Sequence, residues 1–189
     1  MSRTPVREAL TRLVQEGYVS LLPNRGFICK EIRLQEAAEL YDVREALEAL
    51  AVEKAIERTT DAALAELSAK MNLYGDDVQK RFTRERLIYD QDVHLEIARL
   101  AGNETLIKTL AQVFERIILK RKTDGLYDPA RGVTAHQEHL RLLEAMKKRR
   151  VEEAVRIVRA HINAGKDKVL SDLRQRQEIR EMRSTGTIS

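Results

Sequence analysis

The 189-residue sequence contains only four histidines, at positions 94, 136, 139 and 161. Periodicity places His94, His139 and His161 on the apolar stripes of three separate helices. Asp90 lies four residues before His94, so both side chains project from one face of the same helix. Burying four such polar groups is costly unless they bind one another or a cation. Three neutral imidazoles and one carboxylate suit a divalent transition metal.

The same residues also fit a purely structural role. In that alternative, each histidine is a core residue hydrogen-bonded to the backbone, and Asp90 lies on the helix surface. Four inward polar groups together favour the metal site over this alternative. His136 lies one turn before His139, so periodicity does not decide which of the two is a ligand. Among divalent metals we expect zinc, with nickel, manganese and iron as further candidates.

The elements that would position these residues are predicted to be helices. Proline and glycine are scarce, with 3 and 8 residues, and no strand pattern follows residue 33. Short turn signals separate six stretches of helical periodicity, at 34–58, 61–76, 81–101, 103–122, 133–149 and 151–180. The sequence therefore predicts an all-α fold, an antiparallel bundle of about six to seven helices over residues 34–180. Residues 181–189 are expected to form a disordered tail.

The first 33 residues have a different pattern, a helix followed by two short strands. Residues 2–16 carry an apolar stripe at helical spacing. Residues 18–22 and 26–30 are β-prone, and the residues between them favour a turn. A helix followed by a hairpin is the second half of a winged helix, which would contact DNA. The alternative is a solvated cationic helix that packs on the next domain.

Charge is distributed unevenly along the chain, although its total is only +4. Residues 1–33 carry a net +3, residues 34–146 a net −5 and residues 147–183 a net +6. The basic front end agrees with DNA contact, whereas the basic C-terminal stretch is interleaved with glutamates and is predicted to be a solvated helix face. A single cysteine excludes a disulfide framework, and no apolar run is long enough to span a membrane. We therefore expect a cytoplasmic protein that does not contact a membrane.

The N-terminal residues resemble a known DNA-binding unit. Residues 2–10, SRTPVREAL, and 23–26, PNRG, closely resemble the recognition helix and wing of GntR-family transcription regulators. Members of that family carry two further helices before this one, so residues 1–33 resemble a partial winged-helix domain. We expect such a truncated unit to bind DNA poorly. The resemblance implies that the DNA contacts are Arg3, Thr4 and Arg7 in the helix and Asn24, Arg25 and Gly26 at the wing tip.

The rest of the chain resembles the FadR-type ligand-binding domain, called FCD, of the same family. The resemblance rests on residues 40–48, LYDVREALE, on the Asp90–His94 pair and on short stretches around the later histidines. In metal-containing members, the positions matching Asp90, His94, His139 and His161 are the metal ligands. The resemblance therefore favours His139 over the histidine one turn earlier.

The same resemblance implies an effector site in this domain. A small organic acid would bind beside or onto the metal, and Arg44 could supply a positive charge for its carboxylate. An exposed salt bridge near the start of a helix is the alternative role for Arg44. Arg131 and Asn163 are weaker effector-binding candidates of the same kind.

These patterns favour a ligand-responsive DNA-binding transcription regulator over an enzyme. An acid at the metal site would shift the bundle and the placement of paired DNA-binding domains, which requires a homodimer. The main alternative is a metal-dependent enzyme acting on a small carboxylate, because an open metal position can activate water. No HExxH motif, di-iron Glu-x-x-His pair or nucleophile elbow in the sequence supports that alternative. A third interpretation is a dimeric interaction module with structural histidines.

Overall fold

Helices and one short hairpin form the chain wherever its structure is described. The structure is a computed structural model that describes residues 3–30, 33–81, 83–123 and 129–184, without side chains for residues 3, 73–86, 119–130 and 184. In chain order, the elements are α1 (Arg3–Gln15), β1 (Val19–Leu22), β2 (Gly26–Cys29), α2 (Leu34–Arg58), α3 (Asp61–Arg81), α4 (Thr83–Leu100), α5 (Glu104–Thr123), α6 (Pro129–Lys147) and α7 (Val151–Ser184).

The first compact unit, Met1–Arg33, consists of α1 and the hairpin. Helix α1 ends at Gln15, and Gly17, two residues later, has a left-handed φ of 81°. The next amide, of Tyr18, donates to the Leu13 carbonyl at 2.9 Å, as in a Schellman turn. Strands β1 and β2 pair in antiparallel register, which places residues 23–25 at the tip of the hairpin.

The second compact unit, Leu34–Ser189, is the helical bundle. Helix α2 lies at its centre, because it contacts α4, α5, α6 and α7. None of the described helices combines the length and apolar character that crossing a membrane requires. A cluster of buried apolar side chains joins α2, α4 and α5, consisting of Ala51, Leu95, Ala98, Leu106, Leu110, Phe114 and Ile118.

Two arginines bind the ends of neighbouring helices in this unit. Arg58, the last residue of α2, donates its Nη1 hydrogen to the Ala101 carbonyl at 2.8 Å, just after α4. Arg149, after α6, donates to the Ile56 carbonyl at 2.7 Å and to Asp61 Oδ1 at 2.6 Å. Its φ of 55° is left-handed and uncommon for a residue with a Cβ atom. The contacts that Arg149 makes to α2 and α3 account for an arginine at this position.

The predicted all-α fold is confirmed, and three helix ends differ from the prediction by four residues or more. Helix α3 continues to Arg81, five residues beyond the predicted end at residue 76. Helix α6 begins at Pro129, four residues earlier than predicted, because proline is compatible with the first helical turn. Helix α7 continues through residues 181–184, which we expected to belong to a disordered tail. There the Gln177 side chain donates to Glu181 Oε1 at 3.1 Å, a contact that supports the last turns. Residues 185–189 lie outside the described part of the chain.

Candidate metal centre

The four predicted metal ligands lie together inside the bundle. Asp90 and His94 come from α4, His139 from α6 and His161 from α7. The Nε2 atom of His94 lies 3.1 Å from that of His161 and 3.2 Å from that of His139, and the last pair is 3.3 Å apart. Asp90 Oδ1 lies 3.6 Å from Nε2 of His139 and 3.9 Å from the other two Nε2 atoms. Four potential ligand atoms from three helices therefore converge.

The spacing and burial of this group could hold a divalent metal ion. Imidazole nitrogens that share one ion at about 2.0–2.1 Å are about 3.0–3.4 Å apart. The three observed separations, 3.1, 3.2 and 3.3 Å, lie in this range. The imidazoles of His94, His139 and His161 are 1%, 2% and 5% exposed. The Asp90 side chain is 21% exposed, so the group is accessible on that side.

Carboxylates lie behind two of the three imidazoles. Glu48 on α2 contacts Nδ1 of His94, and Glu138 Oε2 lies 2.7 Å from Nδ1 of His161. A carboxylate at Nδ1 holds the hydrogen of a neutral imidazole there and leaves a lone pair on Nε2. Because these two Nε2 atoms face each other at 3.1 Å, their lone pairs repel unless a cation lies beside both. The buried Nδ1 atom of His139 has no hydrogen-bond partner among the described residues.

The protonation states of the buried groups suit metal binding. Burial lowers the pKa of His139 well below its usual value, and the neighbouring imidazoles add to this shift. Burial also lowers the pKa of His161, although its carboxylate partner opposes the shift. Burial alone would raise the pKa of the Asp90 carboxyl. The surrounding imidazoles lower this pKa by more than burial raises it, so the net shift is downward. Neutral imidazoles and an ionised carboxylate are the forms that bind a metal.

Arg44 on α2 is buried beside this cluster, with 3% of its surface exposed, which excludes the exposed salt bridge. Its Nε atom donates to Glu48 Oε1 at 2.6 Å, and its guanidinium carbon lies 4.5 Å from the centre of the Phe114 ring. Burial alone would raise the pKa of Glu48, but Arg44 and then His94 lower it to about 2. The Nη2 atom of Arg44 and the hydroxyl of Tyr41 are buried without hydrogen-bond partners in the described structure. Both can donate to a bound ligand.

The two weaker effector-binding candidates differ in their placement. Arg131 on α6 donates through Nη2 to the His161 carbonyl at 2.9 Å, and its Nη1 lies 2.8 Å from Glu138 Oε2. It therefore lies beside the ligand cluster. Asn163 is exposed and donates to Glu45 Oε2 at 3.0 Å, so the structure does not bring it to the cluster.

The structure separates the two histidines that periodicity left as alternatives. His139 lies in the ligand cluster, whereas Nδ1 of His136 lies 3.4 Å from the Tyr89 hydroxyl. The Tyr89 hydroxyl also donates to the Met71 carbonyl at 3.2 Å, in a contact that joins α4 to α3.

Two functional candidates, Glu48 and Glu138, were not identified from the sequence. The spacing of four residues between Arg44 and Glu48 is a signal for an ion pair on one helix face. Glu138 gives no comparable signal, because it directly precedes His139 in sequence but pairs with His161 on another helix. Spacing within one element does not detect such a contact.

The first unit exposes the residues predicted to contact DNA. Thr4 and Arg7 are among the α1 residues that line an open groove. The side chain of Arg3 lies outside the described residues. All the other predicted DNA-contacting residues are exposed, namely Thr4, Arg7, Asn24, Arg25 and Gly26.

Comparison with known proteins identifies the family to which the larger unit belongs and finds relatives that cover most of the chain. The family model of the FCD domain matches residues 39–164. The Nta operon transcriptional regulator of Aminobacter aminovorans is 33% identical over 174 residues, which cover 92% of this chain and 80% of that protein. Its name describes a transcription regulator.

Solved structures agree with this assignment. The Escherichia coli protein McbR/YncC aligns with a TM-score of 0.68 and 25% identity, over 91% of this chain and 86% of its own. A GntR-family regulator from Pseudomonas syringae has the same fold, with a TM-score of 0.61 and 20% identity over 93% of this chain and 73% of its own. Together with the extent of the FCD match, these similarities show that the chain belongs to the FCD-domain group of GntR-family transcription regulators.

Proposed function

We propose that this transcription regulator responds to a small organic acid that binds at a buried divalent metal ion. Asp90, His94, His139 and His161 would hold the ion. The observation that carries the proposal is the convergence of three Nε2 atoms within 3.3 Å of one another, with Asp90 Oδ1 within 3.9 Å of each. Zinc is the proposed metal, and nickel, manganese and iron are the alternatives.

The ion would supply positive charge for a carboxylate, and the residues around it would orient the ligand atoms. Glu48 holds His94, and Glu138 holds His161, so that each Nε2 lone pair points into the cluster. The unpartnered Nη2 of Arg44 is the proposed donor to the effector carboxylate.

The proposed partner at the other end of the chain is operator DNA. The start of α1, with Arg3, Thr4 and Arg7, would contact base edges, and the exposed hairpin tip would reach the backbone or minor groove. The tip residues are Asn24, Arg25 and Gly26. The regulator names of the relatives support this partner. A homodimer is part of the proposal, because two such helices address two half-sites.

The metal content of the purified protein tests this proposal. Elemental analysis is expected to find about one divalent ion per chain, bound by four protein ligands. A His139→Ala, His161→Ala double variant is expected to contain almost none, because it loses two ligands. The matched control is His136→Ala, one turn from His139 but outside the ligand cluster, which is expected to retain the ion.

Folding of each variant is checked by circular dichroism, so that loss of metal is not mistaken for loss of structure. Where the double variant does not fold, a His139→Gln, His161→Gln variant replaces it, since it removes the same two imidazoles and keeps polar side chains of similar length. Equal metal content in the native protein and the folded variants would refute the proposed site.

A further inference from the structure

We infer that Tyr41 is a specificity-determining residue of the effector site, an inference that rests on the proposed function. Its hydroxyl would donate a hydrogen bond to a neutral oxygen of the effector that is separate from the carboxylate. The effector class is therefore an acid with a second, uncharged oxygen, and hydroxy acids are its simplest members. The basis is a buried hydroxyl without a partner and a glycine that leaves space beside it.

The Tyr41 side chain lies inside the bundle with an unused hydrogen-bonding group. Tyr41 is 1% exposed, and its hydroxyl has no hydrogen-bond partner in the part of the chain that the structure describes. Buried hydroxyl groups normally have a partner, because burial removes the hydrogen bonds that water supplies. An oxygen atom of a bound ligand would satisfy this group.

Tyr41 lies next to the proposed carboxylate donor. It precedes Arg44 by three residues on α2, so both side chains project from one face of the helix. The guanidinium carbon of Arg44 is 5.7 Å from the centre of the Tyr41 ring. In the proposed function, the ion and Arg44 Nη2 bind the oxygens of the carboxylate. The Tyr41 hydroxyl is then left for another atom of the same effector.

A glycine on α7 lies against the Tyr41 ring. Gly165 follows His161 by four residues, so it is on the same helix face as this proposed metal ligand. A Cβ atom at Gly165 would lie 3.6 Å from Tyr41 Cε1, which is an ordinary contact. Packing therefore does not require a glycine here, although glycine destabilises a helix interior relative to alanine. The space that Gly165 leaves beside Tyr41 is where the rest of the effector would lie.

Butyrate and its three hydroxy derivatives test the inference, because they share one carbon chain and one charge. Calorimetric titration of the zinc-loaded protein would compare butyrate with α-, β- and γ-hydroxybutyrate. At least one hydroxy acid is expected to bind about fivefold more tightly than butyrate, which is the gain from one additional hydrogen bond.

The variant Tyr41→Phe tests whether this hydroxyl is the cause. It keeps the ring, so butyrate is expected to bind as in the native protein, while the preference for the hydroxy acid disappears. The melting temperature without acid is expected not to fall, because the hydroxyl has no protein hydrogen bond to lose. The matched control is Tyr18→Phe, which removes the same group from the other compact unit and is expected to keep the preference.

The variant Gly165→Ala keeps the hydroxyl and fills the space beside it. Alanine is the better helix former, so the melting temperature without acid is expected to rise. Affinity for the preferred hydroxy acid is expected to fall at least about fivefold, as for other methyl groups added to a filled site. Undiminished affinity in this variant would overturn the placement of the effector beside Tyr41, also where Tyr41→Phe does not fold.

The remaining outcomes separate this inference from the proposed function. Butyrate binding as tightly as every hydroxy derivative would overturn the second oxygen while leaving an acid-binding metal site intact. A preference that survives in Tyr41→Phe, or an equal loss of affinity for all four acids there, would overturn the role of Tyr41 in the same way. Absence of heat with every acid, in a protein that contains zinc, would overturn both the inference and the proposed effector site.

Discussion

The two units of this chain differ in how much of their apolar and charged side chains they bury. Among the described side chains of the first unit, only Val19 is buried, and Val6 and Leu21 are 56% and 60% exposed. The second unit buries an apolar core and charged groups as well, with Arg44 and Glu48 at 3% and 2% exposed. An exposed group that contacts DNA acts through its own charge and hydrogen-bonding atoms, which depend on its residue type. Buried groups act through partners on other helices, and a sequence shows those partners only indirectly.

Two helix ends repeat this contrast on a smaller scale. Gly17 after α1 and Arg149 after α6 both have left-handed backbones, with φ of 81° and 55°. A Cβ atom at Gly17 would have no neighbour within 4 Å. Arg149 instead accepts backbone strain and binds the end of α2 and the start of α3. The first unit therefore uses the residue with the least strain, and the second uses one that makes contacts.

Truncation of apolar side chains is expected to give the largest difference between the units. Phe114→Ala should lower the free energy of unfolding by about 3–5 kcal/mol, as for other buried phenylalanines, because its side chain is 1% exposed. Leu21→Ala, at 60% exposed, should change it by less than about 0.5 kcal/mol. Urea denaturation of both variants measures this difference. Similar losses in the two would show that burial does not distinguish the units.

Removal of the metal ion is expected to destabilise the second unit. An ion at about a hundred times its Kd stabilises the folded state by about 2.7 kcal/mol. A chelator should therefore lower the free energy of unfolding by about this amount. The same chelator should leave the His139→Ala, His161→Ala variant unchanged, which provides the control. A native protein that unfolds identically with and without chelator would contradict the prediction.

Substitutions at Gly17 and Arg149, two residues with left-handed backbones, compare the cost of backbone strain with the stability gained from side-chain contacts. Arg149→Ala should lower the free energy of unfolding by about 1–2 kcal/mol, through the loss of hydrogen bonds to α2 and α3. Arg149→Gly should lower it by about 0.5–1 kcal/mol less, because glycine relieves the strained φ. Gly17→Ala should cost about 1–2 kcal/mol from strain alone. Equal unfolding energies for Arg149→Ala and Arg149→Gly would show that strain at this residue is negligible.

Loss of one arginine from α1 is expected to have the smallest effect. Arg7→Ala should reduce the slope of log affinity for duplex DNA against log salt by about one, because the guanidinium that α1 places in the groove no longer replaces a counterion of the DNA. Arg156→Ala removes the same charge from an exposed position of α7 and should leave the slope unchanged. Fluorescence anisotropy over a series of salt concentrations measures both slopes. An equal decrease in the two variants would mean that total charge, and not α1, controls DNA binding.

The sequence predicts the candidate site best where the residues concerned lie on one helix. The spacing of Asp90 and His94 places both on one face, and the structure brings both to the cluster. Asn163 shows the limit of proximity in sequence. It lies two residues after His161, which is a rotation of about 200° around the helix axis, so its side chain is on the other side of α7 and contacts Glu45. Glu138 shows a second limit, since only the packing of α6 on α7 decides which histidine it contacts.

His139 differs from the other two imidazoles in electron donation. A carboxylate lies against Nδ1 of both His94 and His161, and its negative charge increases the electron density of the ring and strengthens Nε2 as a donor. His139 has no described partner at Nδ1, so its ring is the weaker donor. An ion in this centre would have two strong bonds to imidazole and one weak bond. Of the three imidazoles, His139 would therefore be the one that an effector oxygen displaces most easily from a bound ion.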